Sequence, residues 1–143
     1  MKNKKIEVRY FSRTGNTAKL ANTIARTAGC EAKTTDIFLK ERADILFIGA
    51  SVYGAGIDKN VKDFIESLDG SKVGIAVIFS TSALVERAYP EIKKHLSVKG
   101  IRVASEDFYC RGQFTFLHKN RPNDQDLVRA KQFTEKMIEE SSL

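Results

Sequence analysis

The chain carries only two cysteines, Cys30 and Cys110, and two histidines, His95 and His118, in 143 residues. So few thiols argue against a disulfide framework or a thiolate metal cage, and a reducing, cytoplasmic setting is expected. No cluster of His, Cys and carboxylates has metal-ligand spacing, and no nucleophile–base pair is visible. Both histidines read as surface residues and Cys110 as a buried thiol. No apolar run nears the ~18 residues of a membrane helix; the longest is Ile75 to Phe79. The N-terminal Met-Lys-Asn-Lys-Lys runs directly into a strand pattern, so no signal peptide is expected. Repeats, linkers and low-complexity segments are also missing, which leaves a single domain over residues 1–143.

What is present is ordinary in amount and uneven in place. Hydrophobic residues make up 42% of the chain and charged residues 29%, as in soluble globular proteins. The net charge is +6. Residues 1–50 hold ten Lys/Arg against five Asp/Glu, whereas residues 101–143 hold seven of each, so the excess lies early. A basic excess suits an anionic partner, but no aromatic-interleaved basic stripe or nucleic-acid module accompanies it. A solvated basic surface is the expectation, with no nucleic acid bound.

Lys5 to Phe11 alternates apolar residues with Glu7 and Arg9 and reads as a strand. A helical period then places Leu20, Ala21, Ile24, Ala25 and Ala28 on one face, stopped by Gly29. Residues 30–34 suit a short strand. Ala43 to Ser51 is the clearest strand, with an apolar run that implies cover on both faces. Asp58 is a good N-cap for a helix burying Val61, Phe64, Ile65 and Leu68, ended by Gly70. Lys72 to Phe79 is another buried strand. A helix with Leu84, Ala88, Ile92 and Leu96 on one face follows, kinked or started by Pro90. Ile101 to Tyr109 reads as a fifth strand and residues 110–123 as a long connection. Asn123 and Asp126 then open a last helix at capping-box spacing, burying Leu127, Ala130, Thr134, Met137 and Ile138. The succession βα, β, βα, βα, βα predicts right-handed crossovers and a parallel sheet covered by helices.

Chemistry concentrates in the turn after the first strand. Ser12, Thr14 and Thr17 offer hydroxyls, Asn16 an amide, and the helix start offers unpaired backbone N–H groups with a favourable dipole. Gly15 allows close backbone approach. An ordinary N-cap needs one such residue, not four plus a glycine, so the loop reads as a phosphate site. It lacks the Lys-Ser/Thr ending of a Walker loop and the Gly-x-Gly-x-x-Gly dinucleotide pattern.

Ser12-Arg13-Thr14-Gly15-Asn16-Thr17 resembles the Ser/Thr-x-Thr-Gly-Asn-Thr motif of the flavodoxin family, and the resemblance extends over nearly the whole chain. It implies a flavodoxin-like, doubly wound, five-stranded parallel sheet of order 2-1-3-4-5 with helices on both faces. Ligands then sit where the order reverses, beyond the carboxyl ends of strands one and three. It also implies FMN, with Ser12, Arg13, Thr14, Gly15, Asn16 and Thr17 around the phosphate. Ser51, Val52, Tyr53, Gly54, Ala55 and Gly56 resemble the second flavin loop. Tyr53 would stack on the ring, and Gly54 would match the glycine whose peptide can turn its carbonyl toward flavin N5–H. Ser80, Thr81 and Ser82, with Ala83, resemble the third loop, whose backbone meets the pyrimidine edge.

Three departures accompany that resemblance. Relatives are usually acidic, and a positive chain should favour the anionic reduced flavin, raising the second potential. The third loop has no aromatic to make a second stacking wall. Tyr109, Cys110 and Arg111 lead into the long connection at the same sheet edge and are expected to help close the flavin edge. The leading expectation is an FMN-binding electron carrier that shuttles one or two electrons between redox partner proteins, with a monomer as default and no membrane insertion. An oxidoreductase on the same fold is the alternative. Ile48-Gly-Ala-Ser-Val-Tyr-Gly followed by Lys59 to Phe64 resembles the flavodoxin-like protoporphyrinogen oxidases, but the long insertion of that family is missing. A quinone reductase would need a substrate platform that the sequence does not display. A flavin-free binding module is the third reading, against which the intact phosphate loop argues.

Overall fold

The computed structural model describes residues 4–13, 15–52, 56–82, 88–112 and 120–141. Strands β1 (Ile6–Tyr10), β2 (Ala32–Thr34), β3 (Ala43–Val52), β4 (Val73–Ser82) and β5 (Phe108–Arg111) alternate with helices α1 (Asn16–Ala28), α2 (Lys59–Glu66), α3 (Tyr89–Val98) and α4 (Asp124–Ser141). The strands form one parallel sheet of order β2-β1-β3-β4-β5, as the pattern predicts. β1 and β3 pair as Ile6 with Ile45 and Tyr10 with Gly49, and β3 and β4 as Ala43 with Val73 and Val52 with Ser82.

Alternation along the central strands divides the core into two layers. On one face Ile45, Phe47, Val77 and Phe79 pack with Leu20, Ala21 and Ile24 of α1 and with Ala130 and Met137 of α4. On the other, Leu46, Ile48, Ala76 and Ile78 meet Val61, Phe64 and Ile65 of α2 and Ile92 and Leu96 of α3. The continuous apolar runs of β3 and β4 follow from cover on both faces. Gly49 has a specific reason. A Cβ there would lie 2.1 Å from the Phe79 ring, which is fully buried beside it.

Glu7 and Arg9 sit in β1 without a covering helix on their face. Arg9 is 3% exposed; its Nε donates to the Ile37 carbonyl at 2.7 Å and its Nη1 to Glu7 Oε1 at 2.8 Å. The connection after β2 therefore covers this face and supplies the acceptor that a buried guanidinium needs.

Three boundaries differ from the sequence reading, and a fourth, the start of α3, follows one of its two alternatives. α2 stops at Glu66, because Ser67 closes it, its N–H donating to Asp63 and Phe64 and its hydroxyl to Phe64. Gly70 is not its cap, and Leu68 is buried beyond the helix. β4 runs on through Ser80, Thr81 and Ser82, and β3 one residue past Ser51 to Val52, so these are strand ends. α3 starts around Pro90, which occupies its first turn and replaces an N–H that has no helical partner there. The fifth strand is displaced: Val103 makes an isolated bridge to Ala76, and the ladder resumes only at Phe108. Leu84 and residues 113–119 of the 110–123 connection lie outside the described residues. At α4 the capping box forms as spaced, with the Asn123 N–H donating to Asp126 Oδ2 at 2.8 Å and the Asp126 N–H to Asn123 Oδ1 at 3.0 Å.

Candidate functional site

The reversal of strand order falls between β1 and β3, and the hydroxyl-rich turn leaves β1 at that point. Gly15 is the N-cap of α1, with φ +89° and ψ −6°, a conformation that disfavours any side chain. Its N–H donates to Ser12 Oγ at 3.0 Å, which folds the turn back on itself. Among the described residues no side chain caps α1, and no acidic residue falls in its first turn. In contrast, α2 is capped by Asp58, whose carboxylate accepts from the Asn60 N–H at 2.9 Å. The first turn of α1 thus carries its partial positive charge and donors without a carboxylate of its own to meet them.

Thr17 and Asn16 are buried and brace this turn. Thr17 Oγ1 lies 2.6 Å from Ser51 Oγ and 2.7 Å from Thr81 Oγ1, so one hydroxyl joins α1 to the ends of β3 and β4. Asn16 packs under Gly112, where a Cβ would sit 2.8 Å from its amide nitrogen. The Gly112 N–H donates to the Ser82 carbonyl at 3.2 Å, which brings the chain after β5 against both β4 and the turn.

Arg13, whose role the sequence leaves open, reaches across the crevice. Its Nη2 donates to Asp58 Oδ2 at 3.0 Å, linking the first turn to the N-cap of α2. The hydrogen bond from the Asn60 N–H, joined by the guanidinium, holds the Asp58 carboxyl below its usual range. Glu91 of α3 accepts from the Ile57 N–H at 3.0 Å, and Gly56, at φ +91°, leaves room for that carboxylate. Ser80 Oγ accepts from the Ala88 N–H at 3.3 Å and fixes the entry to α3. Sequence reasoning missed Asp58, Glu91 and Gly112 as parts of the site. The Arg13–Asp58 and Ile57–Glu91 partners lie 45 and 34 residues apart, beyond the reach of any local pattern.

Of the expected site residues, Ser12, Arg13, Gly15, Asn16, Thr17, Ser51, Val52, Gly56, Ser80, Thr81 and Ser82 fall around the carboxyl ends of β1, β3 and β4. Thr14, Tyr53, Gly54 and Ala55 lie outside the described residues, as do Ala83 and His118. At β5, Tyr109 is exposed and Cys110 faces the α1 and α4 layer. Burial pushes the Cys110 thiol up to about 12, with the Asp126 carboxylate adding to the rise, so it is a core residue and not a nucleophile. Among the described residues, two polar atoms at this end of the sheet are buried without a partner, Thr35 Oγ1 beside the end of β1 and Arg111 Nη1 at the end of β5. Among the described residues, no His, Cys, Asp and Glu group could hold a metal.

A family model described as Flavodoxin domain matches residues 7–121, from β1 through the connection after β5. The chain belongs to this flavodoxin domain family. A relative from Methanocaldococcus jannaschii, an uncharacterized protein, is 28% identical over 137 residues, covering 86% of this chain and 90% of its own. The fold is similar to that of a flavodoxin from the domain Archaea, with a TM-score of 0.77 at 18% identity over 97% of this chain and 99% of that one. It is also similar to part of the rubredoxin oxygen:oxidoreductase of Desulfovibrio gigas, with a TM-score of 0.74 at 15% identity over 96% of this chain and 36% of that one. Membership of the flavodoxin family implies a flavin. The uncapped, glycine-started α1 fits the phosphate of such a group, and the orphaned Arg111 Nη1 fits a ligand acceptor at the far end of the crevice.

Proposed function

We propose that this flavodoxin-family protein holds FMN at the carboxyl ends of β1 and β3 and carries electrons between redox partner proteins. The observation that carries the reading is the start of α1. A left-handed glycine cap, a hydroxyl-rich turn and a first turn free of carboxylates stand together at the reversal of strand order. The backbone donors of that turn, with Ser12 and Thr14, would take the phosphate. Asn16 and Thr17 would hold the turn in shape through their contacts with Gly112, Ser51 and Thr81. Gly56, beside the Ile57–Glu91 hydrogen bond, would lie along the ring, where the family resemblance also puts Tyr53 and Gly54. The ends of β4 and β5 would meet its pyrimidine edge.

When bound, the flavin takes up and returns electrons singly or in pairs, while the protein orients it and tunes its charge environment. Neither a base nor a nucleophile is needed for this, in keeping with the neutral Cys110 thiol. The test is reconstitution. The purified protein should take up one equivalent of FMN with a perturbed visible spectrum, and the loaded protein should accept electrons from a reduced carrier without oxidising NAD(P)H by itself. Rapid NAD(P)H or quinone turnover would favour the oxidoreductase reading. A protein indifferent to FMN would leave the flavin-free module.

A further inference from the structure

On the FMN reading, we propose that Arg111 supplies a positive charge to the pyrimidine edge of the bound flavin and favours its reduced, anionic form over the oxidised one. Arg111 ends β5 and pairs in register with Ser82, the last residue of β4. Its face follows from the alternation. Cys110 packs with the α1 and α4 layer, so Tyr109 and Arg111 lie on the opposite side. Ser80 is on that side as well, since its hydroxyl meets the start of α3, and Ser82 two residues on shares it. Arg111 thus stands beside the end of β4, the segment assigned to the pyrimidine edge.

The segment is held in place. The Gly112 N–H is bonded to the Ser82 carbonyl, and Gly112 packs on Asn16 of the phosphate turn. Arg111 Nη1 is nevertheless enclosed with no acceptor, and among the described residues no carboxylate pairs with this guanidinium. A buried donor of this kind carries an uncompensated desolvation penalty until an acceptor meets it. The pyrimidine edge offers ring nitrogen and carbonyl acceptors. Two electrons and one proton convert the neutral oxidised ring to an anion with its charge at N1 and the C2 carbonyl. A guanidinium there binds that anion more tightly than the neutral ring, which raises the potential.

The test compares the full chain with Arg111→Gln, which keeps N–H donors but not charge, and Arg111→Lys, which keeps the charge. Each is loaded with FMN and titrated potentiometrically with dithionite as reductant, and the affinities for oxidised FMN and riboflavin are measured by fluorescence quenching. In Arg111→Gln the preference for reduced over oxidised flavin should fall about tenfold, which is about 30 mV for a two-electron couple. Arg111→Lys should keep most of the preference, and affinities for FMN and riboflavin should change by the same small factor. An unchanged midpoint in Arg111→Gln, or an equal fall in Arg111→Lys, would overturn the proposal while leaving FMN binding intact. So would a loss of FMN affinity with riboflavin unaffected, which would place the guanidinium on the phosphate. Failure of the unsubstituted protein to bind flavin would overturn both this proposal and the reading it rests on.

Discussion

Thr17 shows how much one buried side chain decides at the residue scale. Its hydroxyl reads from the sequence as a phosphate ligand, and in the fold it also closes a three-hydroxyl cluster with Ser51 and Thr81. Thr17→Val keeps the shape and leaves two buried hydroxyls short of a partner. The expected cost is about 1–3 kcal/mol in urea unfolding with an unchanged m-value, and Thr17→Ser should recover most of it. Cys110 makes a pH prediction. Its folded pKa of about 12 lies above the model-compound value of 9.0, so the folded state holds the proton more tightly than the unfolded chain. The associated stability is complete below pH 9 and is lost as pH rises from there toward 12. Unfolding free energies at pH 8 and 10.5 should therefore diverge, and Cys110→Ala, though less stable throughout, should show a flatter alkaline decline.

At the scale of elements, α1 depends on the backbone of Gly15 and β3 on the missing side chain of Gly49. Nothing lies within 4 Å of a Cβ built at Gly15, so Gly15→Ala should cost only its left-handed strain, about 1–2 kcal/mol, together with FMN affinity. At Gly49 the backbone is not at issue and the Phe79 ring is. Gly49→Ala should cost about 1–3 kcal/mol by overpacking, with Phe79→Leu as a partial rescue. The start of α4 rests on Asp126, which is 1% exposed and bonded by Arg121 and Arg129. Desolvation raises its pKa, but the hydrogen bonds from Arg121 and the Asn123 N–H, with the nearby charges, bring it below the usual value. That contribution is present at neutral pH and is lost as pH falls through the lowered pKa. Asp126→Ala should cost about 3 kcal/mol, near the low end for a broken buried pair, because Arg121 and Arg129 keep some solvent.

The same elements show what a sequence can and cannot convey. β3, β4, α1 and α4 announce themselves because an apolar run or a 3.6 period records which faces are covered. The end of β4 does not, since Ser80, Thr81 and Ser82 have loop-like composition and become strand only through pairing with β3 and β5. β5 is misplaced for a related reason. The apolar residues scattered through 101–109 cannot say that only Val103 and then Phe108 onward reach the ladder. The phosphate turn is local and legible, whereas the Arg13–Asp58 link and the Glu91 contact need the folded chain.

At the scale of the whole molecule, the net charge of +6 acts on the flavin as a field. A positive surface stabilises an added negative charge, so the second reduction potential should be less negative than in acidic flavodoxins and should fall as salt screens the field. A salt-independent potential would assign the tuning to groups at the crevice alone. The central claim, an FMN site built on the start of α1, is tested most directly by titrating the apoprotein with FMN and with riboflavin in parallel. A single equivalent of FMN bound at least tenfold more tightly than riboflavin, with that advantage reduced in Gly15→Ala, is the predicted result. Equal affinity for both ligands, or no spectral change with either, would contradict it.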